Sequence, residues 1–192
     1  MTCQKLDNTC PAAKIALRNH FLNLRPPKRI LECYGGERRE MYHACYEGYD
    51  VTAVDIKKLP NVITVDNRQY LRNHADEYDF FDLDAYGSPD EQLVTLFASR
   101  TSPDPFTVVV TDGSKIKLKY EYVSHINTVT ARIPIKMHIP GLFRFQDELI
   151  WYILLAASRR YSIRISDAKI VRRVLKDRRY YGFVAQKYVT ES

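Results

Sequence analysis

SIRISDAKIVRRVLKDRRYYGFVAQKY, residues 162–188, is the stretch that decides the fold. Its two ends, Ser162–Ser166 and Tyr180–Tyr188, carry the apolar and β-branched pattern of strands. Between them, Asp167–Arg179 is mostly charged and holds no apolar helical stripe, so it cannot cover a sheet as a crossover helix does. The two strands are therefore expected to pair as an antiparallel hairpin with a long connection.

Upstream the pattern alternates instead. Arg29–Tyr34 (RILECY) is a short apolar run, the first strand, and it breaks at Gly35-Gly36 into a helix over Glu37–Glu47 that stops at Gly48. Asp50–Ile56 is the second strand, Asn61–Val65 the third, and Arg68–Glu77 a helix. Tyr78–Leu83 is the fourth strand, Pro89–Ser99 a helix with Pro in its first turn, and Phe106–Thr111 the fifth strand. Ahead of these, Asn8 to Leu24 carries Ala13, Leu17, Phe21 and Leu24 at helical spacing and ends at Pro26-Pro27, an N-terminal helix of about residues 8–25. Behind them, Asp112–Gly141 has weak periodicity and Leu142–Tyr161 is the longest helical pattern. Strands alternating with helices predict a mostly parallel sheet covered on both faces. Closing it with a hairpin separates it from a dinucleotide dehydrogenase, which would continue its βαβ repeat.

Length and composition fit one domain, residues 1–192, of 22.4 kDa, with 45% hydrophobic and 27% charged residues. The longest wholly apolar run, Leu149–Ala157, is far short of the roughly 20 residues that a membrane-spanning helix needs, so no membrane partner is expected. The N-terminus lacks the basic start and apolar stretch of a signal peptide, and a cytoplasmic location is expected. Cys3, Cys10, Cys33 and Cys45 form no CxxC pair; they are read as reduced thiols, with a Cys3–Cys10 disulfide as the alternative. The five histidines are scattered without paired ligand spacing, so no metal is expected.

Charge is unevenly placed. Net charge is +6, yet Arg159–Lys187 holds ten Lys/Arg against Asp167 and Asp177, which makes that segment +8 and the rest −2. It is either a solvated basic face or a phosphate-binding surface. Tyrosines interleave with arginines near Arg178–Phe183, either as sheet packing or as a stacking surface for bases.

In open α/β sheets ligands bind beyond the carboxyl ends of the strands, and the residues there form a series. Tyr34-Gly35-Gly36 follows the first strand, where glycines allow close backbone approach, or else simply a tight turn. Asp55 follows the second, at the distance where an acid accepts from ribose hydroxyls, or else caps the next segment. Asp66-Asn67 follows the third, where Asp66 is equally a turn residue. Asp82-Leu83-Asp84-Ala85-Tyr86-Gly87-Ser88-Pro89 follows the fourth. Two carboxylates, an aromatic, a glycine and a proline at a buried strand's end serve no packing purpose. Together the four strand ends would make a nucleoside-type pocket.

ILECYGG, then AVDI, then DLDAYGSP resemble, in that order, a class I S-adenosylmethionine-dependent methyltransferase. DLDAYGSP is similar to the DxDPFGSP-type catalytic motif of the tRNA guanine-N2 dimethyltransferases. VVVTDG, AASRRYSIRI and RRYYGFVAQKYV follow in that family's order, so the resemblance spans roughly Arg29 to Val189. It implies a Rossmann-like class I methyltransferase sheet, mostly parallel with a C-terminal antiparallel hairpin, and S-adenosyl-L-methionine as cofactor. By that likeness Tyr34 and Gly36 would meet the methionine end of the cofactor, with Arg38 placed to pair with its carboxylate. Asp55 would hold the ribose, Ile56 would pack on the adenine and Asp66 would face the adenine amine, while Glu32, Gly35 and Asn67 would belong to the same cofactor site. Asp82 would also belong to the cofactor site, while Asp84, Tyr86 and Gly87 would meet the target amine of a nucleobase. RNA is the expected partner ahead of DNA, through the basic Arg159–Lys187 segment, with a homo-oligomer or a partner subunit as further expectations. A small-molecule methyltransferase and a non-catalytic subunit of the same fold are the alternatives. Two departures stand out: Ala85 replaces the motif's Pro, which loosens the loop, and Arg38 replaces a second glycine. The family also carries a further C-terminal domain that helps to bind RNA, and this chain ends first.

Overall fold

Neighbouring residues of a strand point to opposite faces, and in this chain both neighbours are apolar. Ile30 and Leu31, Phe80 and Phe81, and Val108 and Val109 are all fully buried. Such strands need cover above and below, which crossover helices supply. A computed structural model, which describes residues 10–37, 39–85, 87–113, 142–171 and 178–188, has that arrangement.

The described residues form strands β1 (Arg29–Cys33), β2 (Asp50–Asp55), β3 (Ile63–Thr64), β4 (Phe80–Asp84), β5 (Phe106–Asp112), β6 (Ile163–Val171) and β7 (Arg179–Lys187). Helices are α1 (Pro11–Leu24), α2 (Asn67–His74), α3 (Asp90–Ser99) and α4 (Gln146–Arg160). One sheet runs in the order β3-β2-β1-β4-β5-β7-β6. The first five strands are parallel, and β7 pairs antiparallel with β5 on one side and β6 on the other. The expected closing hairpin is present.

Leu31, Phe81 and Val108 pack under α2, α3 and α4. Ile30, Phe80 and Val109 pack on the opposite face with Leu17 and Phe21 of α1. Where α1 crosses β7, a Cβ on Gly182 would stand 2.5 Å from the Phe21 ring and 3.0 Å from the Val108 carbonyl oxygen, so only glycine admits the helix this close.

Several boundaries differ from those expected. The helix over Glu37–Glu47 reduces to a single π-helical turn, Tyr42–Tyr46. The chain before it is spent on sharp turning, with Tyr34, Gly36 and Arg39 all in the left-handed region. β6 runs five residues past Ser166, through a bulge between Ser166 and Lys169 that places Asp167 at φ +47°. It is an edge strand of the sheet, so its polar, exposed residues carry no apolar alternation. β4 extends to Asp84, one residue further than expected, which carries that carboxylate on the strand itself. Among the expected features, Cys3, Arg38, Tyr86, the start of the N-terminal helix at Asn8 and most of Asp112–Gly141 lie outside the described residues. Among the described residues no helix is long and apolar enough to cross a membrane.

Candidate active site

The strand order reverses direction around β1 and β4, and a crevice opens beyond the carboxyl ends of strands at such a switch point. A cavity of about 630 Å³ lies there. Its wall joins Gly35 and Gly36 from the β1 end, Asp55 and Ile56 from the β2 end, and Asp84 and Gly87 from the β4 end. Strand ends far apart in sequence thus share one cavity.

The turn after β1 is tightly specified. The Tyr34 and Gly35 amides both donate to the Val54 carbonyl, at 2.9 and 3.2 Å, which folds the loop across the end of β2. A Cβ on Gly35 would lie 3.1 Å from the Ala53 Cβ, so the loop could not sit there with a larger residue. Tyr34 has φ +74°, an unusual conformation for an aromatic residue, and its hydroxyl bonds to Asn67. Gly36, at φ +59°, leaves its cavity side open: the nearest atom to a Cβ built there is the Tyr34 carbonyl oxygen, 3.9 Å away.

Glu32 lines the same wall, buried, and accepts from Arg39 Nη2 at 3.2 Å. Arg39 itself stacks over the Tyr42 ring, 4.1 Å from its centre. Arg38 being outside the described residues, Arg39 is the arginine placed at the glycine turn, a residue the motif spacing did not single out. Burial, with the nearby Asp82 charge, pushes the Glu32 carboxyl up to about 7, although Arg39 pulls the other way. That shift has a signed consequence. In the unfolded chain Glu32 titrates near 4.5, so between 4.5 and about 7 the folded protein holds the extra proton and stability falls as pH rises. The loss is complete above pH 7 and comes to about 3 kcal/mol. Glu32→Gln is expected to flatten this slope and to melt above wild type at about pH 8, as denaturant titrations across the range would check.

Asp55, half-buried, accepts from the Lys57 amide at 2.9 Å through one oxygen; the other has no hydrogen bond among the described residues. Ile56 beside it is 73% exposed on the cavity rim. Asp66 and Asn67 do not line the cavity. Asp66 caps α2 by accepting from the Arg68 amide at 2.8 Å, and the Arg68 guanidinium on the same carboxylate draws its pKa down to about 2. Asn67 is buried and accepts from Gln92 Nε2 at 3.2 Å.

The two acids of β4 part company. Asp82 and Asp84 lie two apart on one face of the strand, a rise of about 6.6 Å. Lys14 and Arg18 lie four apart on one face of α1, a rise of about 6 Å. The spacings match, and the side chains pair as two rungs. Arg18 Nε and Nη2 donate to Asp82 at 2.7 and 2.6 Å, and the Tyr46 hydroxyl adds a third bond at 2.7 Å. All of that rung is fully buried and off the cavity wall, so Asp82 sits apart from the cofactor-site residues with which the sequence grouped it. In the outer rung Lys14 Nζ donates to both Asp84 oxygens, at 2.8 and 2.7 Å. Both partners line the cavity. Burial acts to raise the Asp84 pKa, but the charges of Arg18 and Lys14 outweigh it and hold the carboxyl below its ordinary value. Among the described residues no three His, Cys, Asp or Glu side chains cluster where a metal ion could be held.

No family model and no curated protein matches this sequence. Solved structures do. Trm1 from Pyrococcus horikoshii, in complex with S-adenosyl-L-methionine, is 15% identical with a TM-score of 0.60 over 93% of this chain. This chain spans 56% of that protein's length. The 1,6-didemethyltoxoflavin-N1-methyltransferase of Burkholderia thailandensis, with bound 1,6-didemethyltoxoflavin and S-adenosylhomocysteine, is 16% identical with a TM-score of 0.54 over 95% of this chain and 80% of its own. The methyltransferase PaMTH1 of Podospora anserina, bound to S-adenosylhomocysteine, is 11% identical with a TM-score of 0.55 over 98% of this chain and 83% of its own. With the strand order above, these likenesses define the fold as that of the class I S-adenosylmethionine-dependent methyltransferases.

Proposed function

We propose that this protein is an enzyme that transfers a methyl group from S-adenosylmethionine to an exocyclic amine of a nucleobase, in RNA ahead of DNA. The observation that carries the proposal is the one cavity that joins Gly36, Asp55 and Asp84. Its volume is that of a small-molecule site. The residues suit the cofactor: an open glycine turn for the methionine end, a carboxylate oxygen at Asp55 for the ribose hydroxyls, and exposed Ile56 for the adenine face. When bound, S-adenosylmethionine supplies an electrophilic methyl group on its sulfonium sulfur. Solved neighbours of the same fold hold S-adenosylmethionine or S-adenosylhomocysteine, which supports that choice.

The protein's own part is to hold the amine. An exocyclic amine is a poor nucleophile because its lone pair is conjugated with the ring. A carboxylate accepting its N–H bond favours the pyramidal nitrogen and the positive charge that grows on it. Asp84 stands at the cavity wall as an anion and can take that role, with Gly87 beside it leaving room for a base: a Cβ there would meet nothing within 4 Å. Tyr86 belongs to this reading through the DLDAYGSP likeness alone. Nucleic-acid binding is supported by Arg178, which brings the basic segment to the cavity wall, and by exposed Arg164 and Lys169 on β6. The toxoflavin-type neighbour favours a second reading, methylation of a ring nitrogen in a small heteroaromatic molecule.

Incubation with labelled S-adenosylmethionine and separate pools of tRNA, rRNA and DNA, followed by nucleoside analysis, tests the proposal. Label on an exocyclic amine, with activity that falls steeply with salt, is the expected result. Salt-insensitive transfer to small heteroaromatics alone would favour the second reading and overturn the first.

A further inference from the structure

Lys14 stands where an amine acceptor should be open. Its Nζ contacts both Asp84 oxygens, and its side chain is only 9% exposed. An ammonium has no lone pair and is not itself a nucleophile. It is also a poor neighbour for one. A target nitrogen on the same carboxylate would lie within about 5 Å of Nζ and turns cationic as the methyl arrives; at an effective dielectric of about 20 that repulsion slows transfer by roughly two orders of magnitude. Transfer at Asp84 therefore requires the ammonium to leave.

The surroundings say what draws it away. Lys14 lies in the first turn of α1, which holds no acidic residue and where the helix dipole disfavours a cation. Arg18, one turn on, stays clamped to buried Asp82, so the helix holds its place while the flexible Lys14 stem swings. Arg178 and Lys57 share the cavity wall with Glu37, Glu40 and Asp55, so an anion brought by the substrate competes with these carboxylates for the ammonium. Resting on the function proposed above, we infer that Lys14 is a specificity-determining residue. It yields Asp84 to a substrate that brings its own anion, so the site takes nucleotides, with a phosphate near the amine-bearing base, over nucleosides and bare bases.

The test loads the full chain with S-adenosylhomocysteine and titrates it calorimetrically with guanosine, adenosine and cytidine and with their 5′-monophosphates. Wild type is expected to bind one monophosphate at least about tenfold tighter than the matching nucleoside. Lys14→Met and Lys14→Gln are expected to bind that nucleoside about tenfold tighter than wild type does, and to prefer the monophosphate only a few-fold. Lys14→Arg, which keeps a cation there, should keep the preference. Equal affinity for nucleoside and monophosphate in wild type, a preference unchanged in the Met and Gln variants, or no binding of any of these ligands overturns the inference. Binding of S-adenosylhomocysteine is measured first. Its failure overturns the proposed function, whereas its success without nucleotide discrimination overturns only the role given to Lys14.

Discussion

Asp84→Asn is expected to lower methyl transfer by about 10²- to 10³-fold while S-adenosylmethionine affinity stays within a few-fold of wild type. The substitution keeps the volume and one acceptor oxygen but removes the charge. Two functions go with it. The nitrogen that gains positive charge during transfer loses the anion facing it, and the amide's NH₂ presents a donor where an acceptor is needed. The cofactor contacts assigned to Gly36 and Asp55 lie on other strand ends and are untouched. Stability should fall by about 1–3 kcal/mol, between the surface and buried limits, because the Asp84 side chain is 21% exposed while Lys14, 9% exposed, is left facing a neutral amide. Single-turnover transfer with labelled cofactor, beside a calorimetric measurement of cofactor binding, separates the two effects. Turnover at the wild-type rate would remove Asp84 from the chemistry, and loss of cofactor binding would relocate it to the cofactor site.

What the sequence discloses of this site depends on the physical character of each signal. Glycines and acids at the carboxyl ends of apolar runs are conspicuous, because a buried strand gives such residues no packing role. Gly36, Asp55 and Asp84 were therefore readable and do share a cavity. Asp66 carried the same signal for another reason: it caps α2 and pairs with Arg68 two residues on, and no acid's spacing from a strand tells a cap from a ligand. Lys14 and Arg18 carry no such signal because they share the buried side of α1 with Leu17 and Phe21, and apolar periodicity treats a cation on such a stripe as solvated. Leu24, placed on that stripe by spacing, is instead 48% exposed at the helix end. A usable signal did exist. Two cations four apart on a helix match two acids two apart on a strand, since about 6 Å and about 6.6 Å are nearly one repeat. Asp82 shows what that comparison adds: its nearness to Asp84 in sequence suggests a shared site, whereas its partners in the structure are Arg18 and Tyr46.

Arg18→Leu is expected to be the most destabilising single change, by about 3–5 kcal/mol, and to show as a lowered denaturation midpoint at neutral pH. The Arg18 and Asp82 side chains have no exposure at all, and the guanidinium holds both carboxylate oxygens. Removing it strands Asp82 in the interior with the Tyr46 hydroxyl as the single remaining donor among the described residues. The same logic makes the double variant informative. Arg18→Leu with Asp82→Leu exchanges a buried ion pair for apolar contact between α1 and β4, and such exchanges are often neutral or stabilising. The pair is thus expected to regain most of the stability lost by the single variant, short of the Tyr46 hydroxyl left without its acceptor, which costs about 1–3 kcal/mol. Methyl transfer by the double variant should remain within a few-fold of wild type, because neither residue lines the cavity. Recovered stability with lost transfer would mean that the inner rung also fixes Asp84, whose carboxylate lies 3.9 Å from Arg18 Nη2. Failure to recover stability would mean that the inner rung holds α1 by directed hydrogen bonds that apolar contact cannot replace.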